Sequence, residues 1–153
     1  MLRVQDLMTQ PVETVRAATP ADEAWARMHT KGIHHLVVIT AAGVVGVISD
    51  RDAGGRRGSS LRRGRTVADL MSRSPVCVTP DTPVRKAANV LRGRSIGSLV
   101  VTDDRGRLVG IVTAADLLEL LGRGIEHPVV ERRRWTLKHR VPHRKRHQAA
   151  GAW

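Results

Sequence analysis

Apolar residues in this chain fall into short runs broken by Gly, Pro and polar turns, and the pattern occurs twice. Residues Val4 to Val15 (VQDLMTQPVETV) return 63 positions later as Val67 to Val78 (VADLMSRSPVCV). Likewise Gly43 to Asp52 (GVVGVISDRD) returns, after one inserted residue, as Arg107 to Asp116 (RLVGIVTAAD). Between these landmarks the first copy predicts a helix capped by Thr19, with Pro20 at its first position, running to Lys31 and stopping at Gly32. Asp22 and Glu23 suit the positive end of its dipole, and Ala24, Met28 and Trp25 form its apolar stripe. The second copy repeats the device with Thr82, Pro83 and inward-facing Val84, Ala87, Ala88 and Leu91, ending near Arg94. Apolar strands follow each helix at Leu36–Ile39 and Leu99–Val101. After the turns TAAG and DDRG come Val44–Ile48 and Leu108–Val112.

Each copy thus reads as strand, helix, strand, turn, strand, then helix. Asp116 to Leu121 forms the last helix, capped by Thr113 and stopped by Gly122 or Gly124. Its counterpart, Ala53 to Gly58, is broken by glycines and is expected to be a frayed turn or loop. A unit of about 60 residues buries only about 60% of its unfolded surface, so the copies are expected to share a core by packing on one another. The fold class expected is α/β of the α+β kind: two repeats, each a small mixed sheet with flanking helices, related by a pseudo-two-fold axis. The repeats are assigned to residues 1–60 and 61–122, with a basic tail at 123–153 that is expected to be flexible.

Composition changes this picture in one respect. The net charge of +12 is concentrated in Arg51–Arg65, with six Arg against one Asp, and in Arg123–His147, with nine Lys or Arg against Glu126 and Glu131. The basicity therefore belongs to a linker and a tail, and the folded body is near neutral. Single Cys77 leaves no intramolecular disulfide framework and no cysteine metal cluster, and it reads as a small apolar strand residue. Apolar runs are of strand length and the start, MLRVQDLMTQ, lacks a signal-peptide core, so a cytoplasmic protein without a membrane role is expected.

The segments DLMTQPVETV with VISDRD, and DLMSRSPVCVTPDTPV with GIVTAADLL, resemble tandem CBS domains, the family named after the regulatory region of cystathionine β-synthase. The resemblance spans roughly residues 1–122. It implies a regulatory module, often dimeric, that senses adenosine-containing ligands such as AMP, ADP or ATP in clefts between repeats. It also implies that each cleft takes a Ser/Thr-x-x-Asp from one repeat and the early strand of the other, the Asp accepting from ribose hydroxyls. Carried over, one cleft would use Thr113 and Asp116 with Thr14, Val15, Ile33, His34 and His35. The other would use Ser49 and Asp52 with Val76, Val78, Thr79, Ile96 and Gly97.

Of the two, the Asp116 cleft is expected to be the better nucleotide site. His34 and His35 can donate hydrogen bonds and carry partial positive charge near neutral pH. Gly97 and Ser98 replace them in the second cleft, where Arg51 is a candidate for the missing charge or simply the solvated start of the basic linker. The Thr113–Asp116 spacing equally suits a helix cap. Phe and Tyr are absent, so adenine would pack on aliphatic side chains and backbone. The sequence lacks a phosphate loop, a nucleophile elbow and an H-E-x-x-H helix, and no catalytic residue, metal ligand or required cofactor is expected. A rival reading is a dimerising scaffold without ligand whose tail binds nucleic acid or another polyanion by counterion release. In either case the effector is another protein or a nucleic acid, and the sequence does not choose among AMP, ADP, ATP, NAD and S-adenosylmethionine.

Overall fold

The computed structural model describes residues 1–124; the expected basic tail from residue 125 onward lies outside them. In the first half, β1 (Thr14–Arg16) pairs parallel with β2 (His35–Thr40), which pairs antiparallel with β3 (Gly43–Ser49). In the second half, β5 (Cys77–Val78) pairs parallel with β6 (Ser98–Thr102), and β6 antiparallel with β7 (Leu108–Thr113). Helix α1 (Ala21–Lys31) links β1 to β2 and α4 (Val84–Arg94) links β5 to β6. These parallel pairs separated by a helix give the two-fold repetition its structural form.

Alternation along the strands explains why they read as continuous apolar runs. Leu36, Val38 and Ile48 face a core with Ala24 and Met28 of α1, and Leu99, Val101 and Val112 face one with Ala87 and Leu91 of α4. Their neighbours Val37, Val47, Val100 and Ile111 point the other way and form a third cluster joining the halves. The four long strands β2, β3, β6 and β7 are each buried on both faces along their middle residues, so period two disappears from the sequence there. The shared core expected from repeat size is this third cluster.

The opening of each repeat packs in the other half. Val4, Leu7 and Met8 lie in the core with Leu91, Leu99 and Leu120, whereas Val67 lies with Val15, Met28 and Leu36. Residues 67–70 form the single-turn helix α3, and β4 (Ser72–Arg73) adds to the free edge of β3. Thr9 makes the equivalent bridge to Ile111. The sequence boundary near residue 60 therefore divides the repeats but not the cores.

This exchange also corrects the predicted helix starts. Pro20 and Pro83 are the N-caps, with ψ of 138° at both, and helix begins one residue later. Ala21 N–H donates to Arg65 O at 2.9 Å and Val84 N–H to Leu2 O at 3.0 Å. Pairing with the exchanged segment thus uses an amide that a helix start leaves unsatisfied, and it holds the preceding proline extended. Thr82 instead accepts from the Thr79 amide at 3.1 Å. The stop at Gly32 is as predicted, in left-handed conformation with φ of 64°.

Two further expectations change. Residues 53–58 are anchored at both ends, with Ala53 and Gly58 buried; a 3-10 turn covers Gly55–Arg57, and α2 follows at Ser59–Arg62. A β-carbon on Gly54 would lie 2.8 Å from Gly58 Cα, so these glycines serve close backbone approach rather than fraying. The last helix, α5 (Ala114–Arg123), is capped by Thr113 and ends at Gly124, which places Arg123 in the fold. Cys77 is a strand residue as expected, but an exposed one.

Within the linker that sequence charge marks as solvated, Arg62 is only 4% exposed. Its Nη1 donates to the carbonyls of Ala53 and Gly55 at 2.7 and 2.6 Å, and its Nε to Asp22 Oδ1 at 2.9 Å. The guanidinium lies 4.3 Å from the centroid of Trp25, whose ring also stacks on His29. Trp25 is thus a packing residue.

Candidate functional site

Both Ser/Thr-x-x-Asp motifs sit where a central strand gives way to the next segment, because capping demands it. The amide of Ser49 donates to Asp52 Oδ2 at 2.9 Å and the amide of Asp52 to Ser49 Oγ at 3.0 Å. The same reciprocal pair joins Thr113 and Asp116 at 2.8 and 3.2 Å. Each motif is therefore a capping box, and each carboxylate is fixed in place by it.

A cleft of about 460 Å³ opens between the halves beside the first of these motifs. Ser49, Asp50, Arg51 and Asp52 form its wall from the first repeat. Val76, Ile96 and Gly97 come from the second, and Val47 and Pro75 add apolar surface. The volume lies in the range of small-molecule sites. Of the residues predicted for this cleft, Ser49, Asp52, Val76, Ile96 and Gly97 meet in it. Val78 packs on the second core, and the hydroxyl of exposed Thr79 bonds to Asp81 and Thr82.

His34 and His35, expected with Thr113 and Asp116, line this Ser49–Asp52 cleft. A β-carbon on Gly97 would meet His35 Nε2 at 3.4 Å, an ordinary contact distance, so the imidazole lies directly across the junction from position 97. Val15, predicted for the other cleft, is 2% exposed and belongs to the first core, which removes its side chain from any ligand. Ile33 packs against that core, and the Thr14 carbonyl accepts from Arg27 at 3.0 Å.

The electrostatics of the cleft are mixed. Asp50 Oδ1 accepts from Trp25 Nε1 at 3.1 Å, and its Oδ2 lies 3.8 Å from His34 Nδ1. Burial lowers the pKa of His35, reinforced by neighbouring His34 and opposed by Asp52 and Asp50. Arg51 and Arg73 bring permanent positive charge to the lining. Arg73 was not among the predicted residues; its signal is the repeat itself, which sets Arg73 against neutral Gln10. Among the described residues no cluster of three His, Cys, Asp or Glu could hold a metal ion. Among them, too, no helix is long and apolar enough to cross a membrane.

Comparison with known proteins places this geometry. The CBS domain family matches residues 4–53 and 67–123. A CBS domain-containing protein of Dictyostelium discoideum is 33% identical over 135 residues, covering 80% of this chain and 93% of that protein. Homoserine O-acetyltransferase of Methanococcoides burtonii is 31% identical over 120 residues, covering 78% of this chain but 24% of the enzyme. Among solved structures, the CBS domain pair of protein MJ0100, in complex with 5′-methylthioadenosine and S-adenosyl-L-methionine, aligns with a TM-score of 0.72 at 27% identity. It covers 80% of this chain and 98% of that one. CBSX2 in complex with AMP aligns with a TM-score of 0.69 at 30% identity, covering 83% of this chain and all of the other. Two matched stretches that take in most of the chain, on a fold shared with solved pairs, establish that this protein belongs to the CBS domain family and carries two of its repeats.

Proposed function

We propose that the protein is a regulatory module that binds an adenosine-containing ligand in the Ser49–Asp52 cleft and signals occupancy through a change of shape or association. The observation that carries this reading is the cleft itself, where a carboxylate held by its capping box faces apolar Val76 and Ile96 of the other repeat. Asp52 can accept from vicinal ribose hydroxyls, since a carboxylate has more acceptor sites than the single cap amide uses. Val47, Val76 and Ile96 offer aliphatic surface for adenine. The bound adenosyl compounds of MJ0100 and CBSX2 support the ligand class.

A ligand touching both repeats favours the arrangement in which they close on it, by no more than its difference in affinity for the two states. The chain acts by binding, not by turnover: the match to homoserine O-acetyltransferase covers about a quarter of that enzyme, as fits a regulatory attachment. We also read it as a cytoplasmic homodimer whose target is another protein. The choice of cleft departs from the expectation of an Asp116 site, because the imidazoles and Arg51 gather at Asp52.

Titration calorimetry with AMP, ADP, ATP, NAD and S-adenosylmethionine tests the reading. Asn at position 52 keeps an oxygen for the Ser49 amide but loses charge and an acceptor. Asp52→Asn is therefore expected to weaken binding at least about tenfold, the scale of one charge-assisted hydrogen bond, while Asp116→Asn has a smaller effect. Affinity unchanged in Asp52→Asn would overturn the assignment.

A further inference from the structure

We propose that the turn joining the two repeats is a docking surface for the phosphodiester backbone of duplex nucleic acid, with Arg56, Arg57 and Arg63 as its contacts. Residues 51–65 carry six Arg, and mutual repulsion should splay such a segment in water. The fold does the reverse. Buried Arg62 ties the Ala53 and Gly55 carbonyls together, and a β-carbon on Gly54 would stand 2.8 Å from Gly58 Cα. The amides of Gly58 and Arg62 donate to the carbonyls of Gly55 and Gly58 at 3.2 and 3.0 Å. On this compact turn Arg56, Arg57 and Arg63 are exposed, and among the described residues none of the three forms an ion pair. Carboxylates of the adjoining α1 and α3 are already engaged: Asp22 by Arg62, Glu23 by Arg27, and Asp69 by the Thr66 amide and hydroxyl. The second half has no counterpart. After Asp116 its chain continues as α5 with Leu117, Leu118, Leu120 and Leu121, so the basic turn is an addition to one repeat and not a requirement of the fold.

The surroundings of these guanidiniums decide the partner. Protein interfaces are centred on apolar and aromatic anchors. Among the described residues the large apolar side chains that are exposed are Met1, Leu118 and Leu121, none of them in this turn. Leu61 is half-buried and packs towards Gly54, which leaves the turn without an apolar face to enter a membrane. Single strands are held by stacking bases on aromatic rings. Phe and Tyr are absent, and Trp25 is already stacked against His29 and Arg62. Duplex phosphates require none of these features. Guanidiniums donate in pairs to phosphodiester oxygens and supply affinity without reading the bases. Between Arg57 and Arg63, exposed Ser59 and Ser60 add small hydroxyls of the kind that also donate to phosphate. Binding through this surface is therefore independent of base sequence.

The test is fluorescence anisotropy of the whole protein with a labelled duplex of about 20 base pairs, as DNA and as RNA, between about 50 and 200 mM salt. Two variants that lose the same charge are run beside the parent, each with its melting curve: Arg56→Gln/Arg57→Gln/Arg63→Gln in the turn, and Arg85→Gln/Lys86→Gln/Arg94→Gln at exposed positions of α4. Each phosphate contact contributes about 0.9 to the slope of log K against log salt, so three contribute about 2.7. Over that range the parent is expected to lose about 40-fold more affinity than the turn variant, while the α4 variant keeps the parent's slope to within about one contact. Should the turn variant melt early, the three single substitutions, each expected to lower the slope by about 0.9, replace it. Steep, turn-dependent binding of either duplex supports the proposal, and the tighter of the two identifies the source of the backbone. Equal slopes in parent and turn variant, or an equal fall in both triple variants, would overturn it. So would single-stranded DNA or polyglutamate bound more tightly than the duplexes, or no duplex binding at about 50 mM salt.

Discussion

Replacing Arg62 by Ala tests the most counterintuitive feature of the fold, a buried cation in a stretch that composition assigns to solvent. The substitution leaves the Ala53 and Gly55 carbonyls without their guanidinium donor, at about 1.5–3 kcal/mol for a hydrogen bond from a charged group. Loss of the stacking on Trp25 adds about 1 kcal/mol. The ion pair with Asp22, whose side chain is 63% exposed, contributes at most about 1 kcal/mol. Relief of the guanidinium's desolvation offsets part of this, and the contributions overlap, so the net loss should be about 3–4 kcal/mol. At about 2.1 cal/mol/K per residue, the 124 described residues have an unfolding entropy of about 0.26 kcal/mol/K, so Tm should fall by about 12–15 °C. Calorimetric melting of Arg62→Ala beside Asp22→Ala reads this directly. The burial argument is refuted if Arg62→Ala melts within about 3 °C of the parent, or if Asp22→Ala, expected to cost under about 1 kcal/mol, matches it.

The exchanged openings predict unequal glycine substitutions. A β-carbon at position 46 would lie 2.6 Å from the Ser72 carbonyl oxygen, whereas at position 110 it meets first the flexible Met8 sulfur at 2.7 Å. Gly46→Ala should therefore cost about 1–3 kcal/mol in urea denaturation and Gly110→Ala less, with Met8→Ala easing only the second; equal costs would contradict the packing. Because His35 has a lowered pKa in the fold, the unfolded chain takes up its proton first as pH falls. Stability is thus fully present above the ordinary value of 6.5 and declines as pH falls from there towards the folded pKa. Urea midpoints at pH 7.5 and 5.5 should show a larger loss in the parent than in His35→Gln, and parallel losses would remove His35 as the cause. Thr113→Ala deletes the oxygen that accepts from the Asp116 amide and should lower stability by about 1 kcal/mol, measured by the same denaturation.

Local chemistry made much of the fold legible. The stop at Gly32, the cap at Thr113 and the strand runs around Val37 and Val100 depend on residues within a few positions of one another. The destination of the DLM segments does not. Met8 and Met71 occupy equivalent places in identical local patterns, and nothing within either pattern states which core it will enter. The helix starts missed by one residue for the same reason, since the amides of Ala21 and Val84 are claimed by segments distant in sequence. Arg62 illustrates the limit of charge counting: its neighbours Arg56, Arg57 and Arg63 are exposed, and only the fold brings Trp25 and two carbonyls to it. At the site, the Ser/Thr-x-x-Asp spacing located both motifs, while the placement of His34 and His35 in the Ser49–Asp52 cleft is set by the packing of the two halves, which no local pattern records.

The central claim, that the Ser49–Asp52 cleft is the ligand site, is met most directly by a crystal structure of the protein grown with AMP. The account predicts the ribose within hydrogen-bonding distance of the Asp52 carboxylate and adenine against Val76 and Ile96. AMP bound only beside Thr113 and Asp116, or a Ser49–Asp52 cleft empty at saturating AMP, would contradict it.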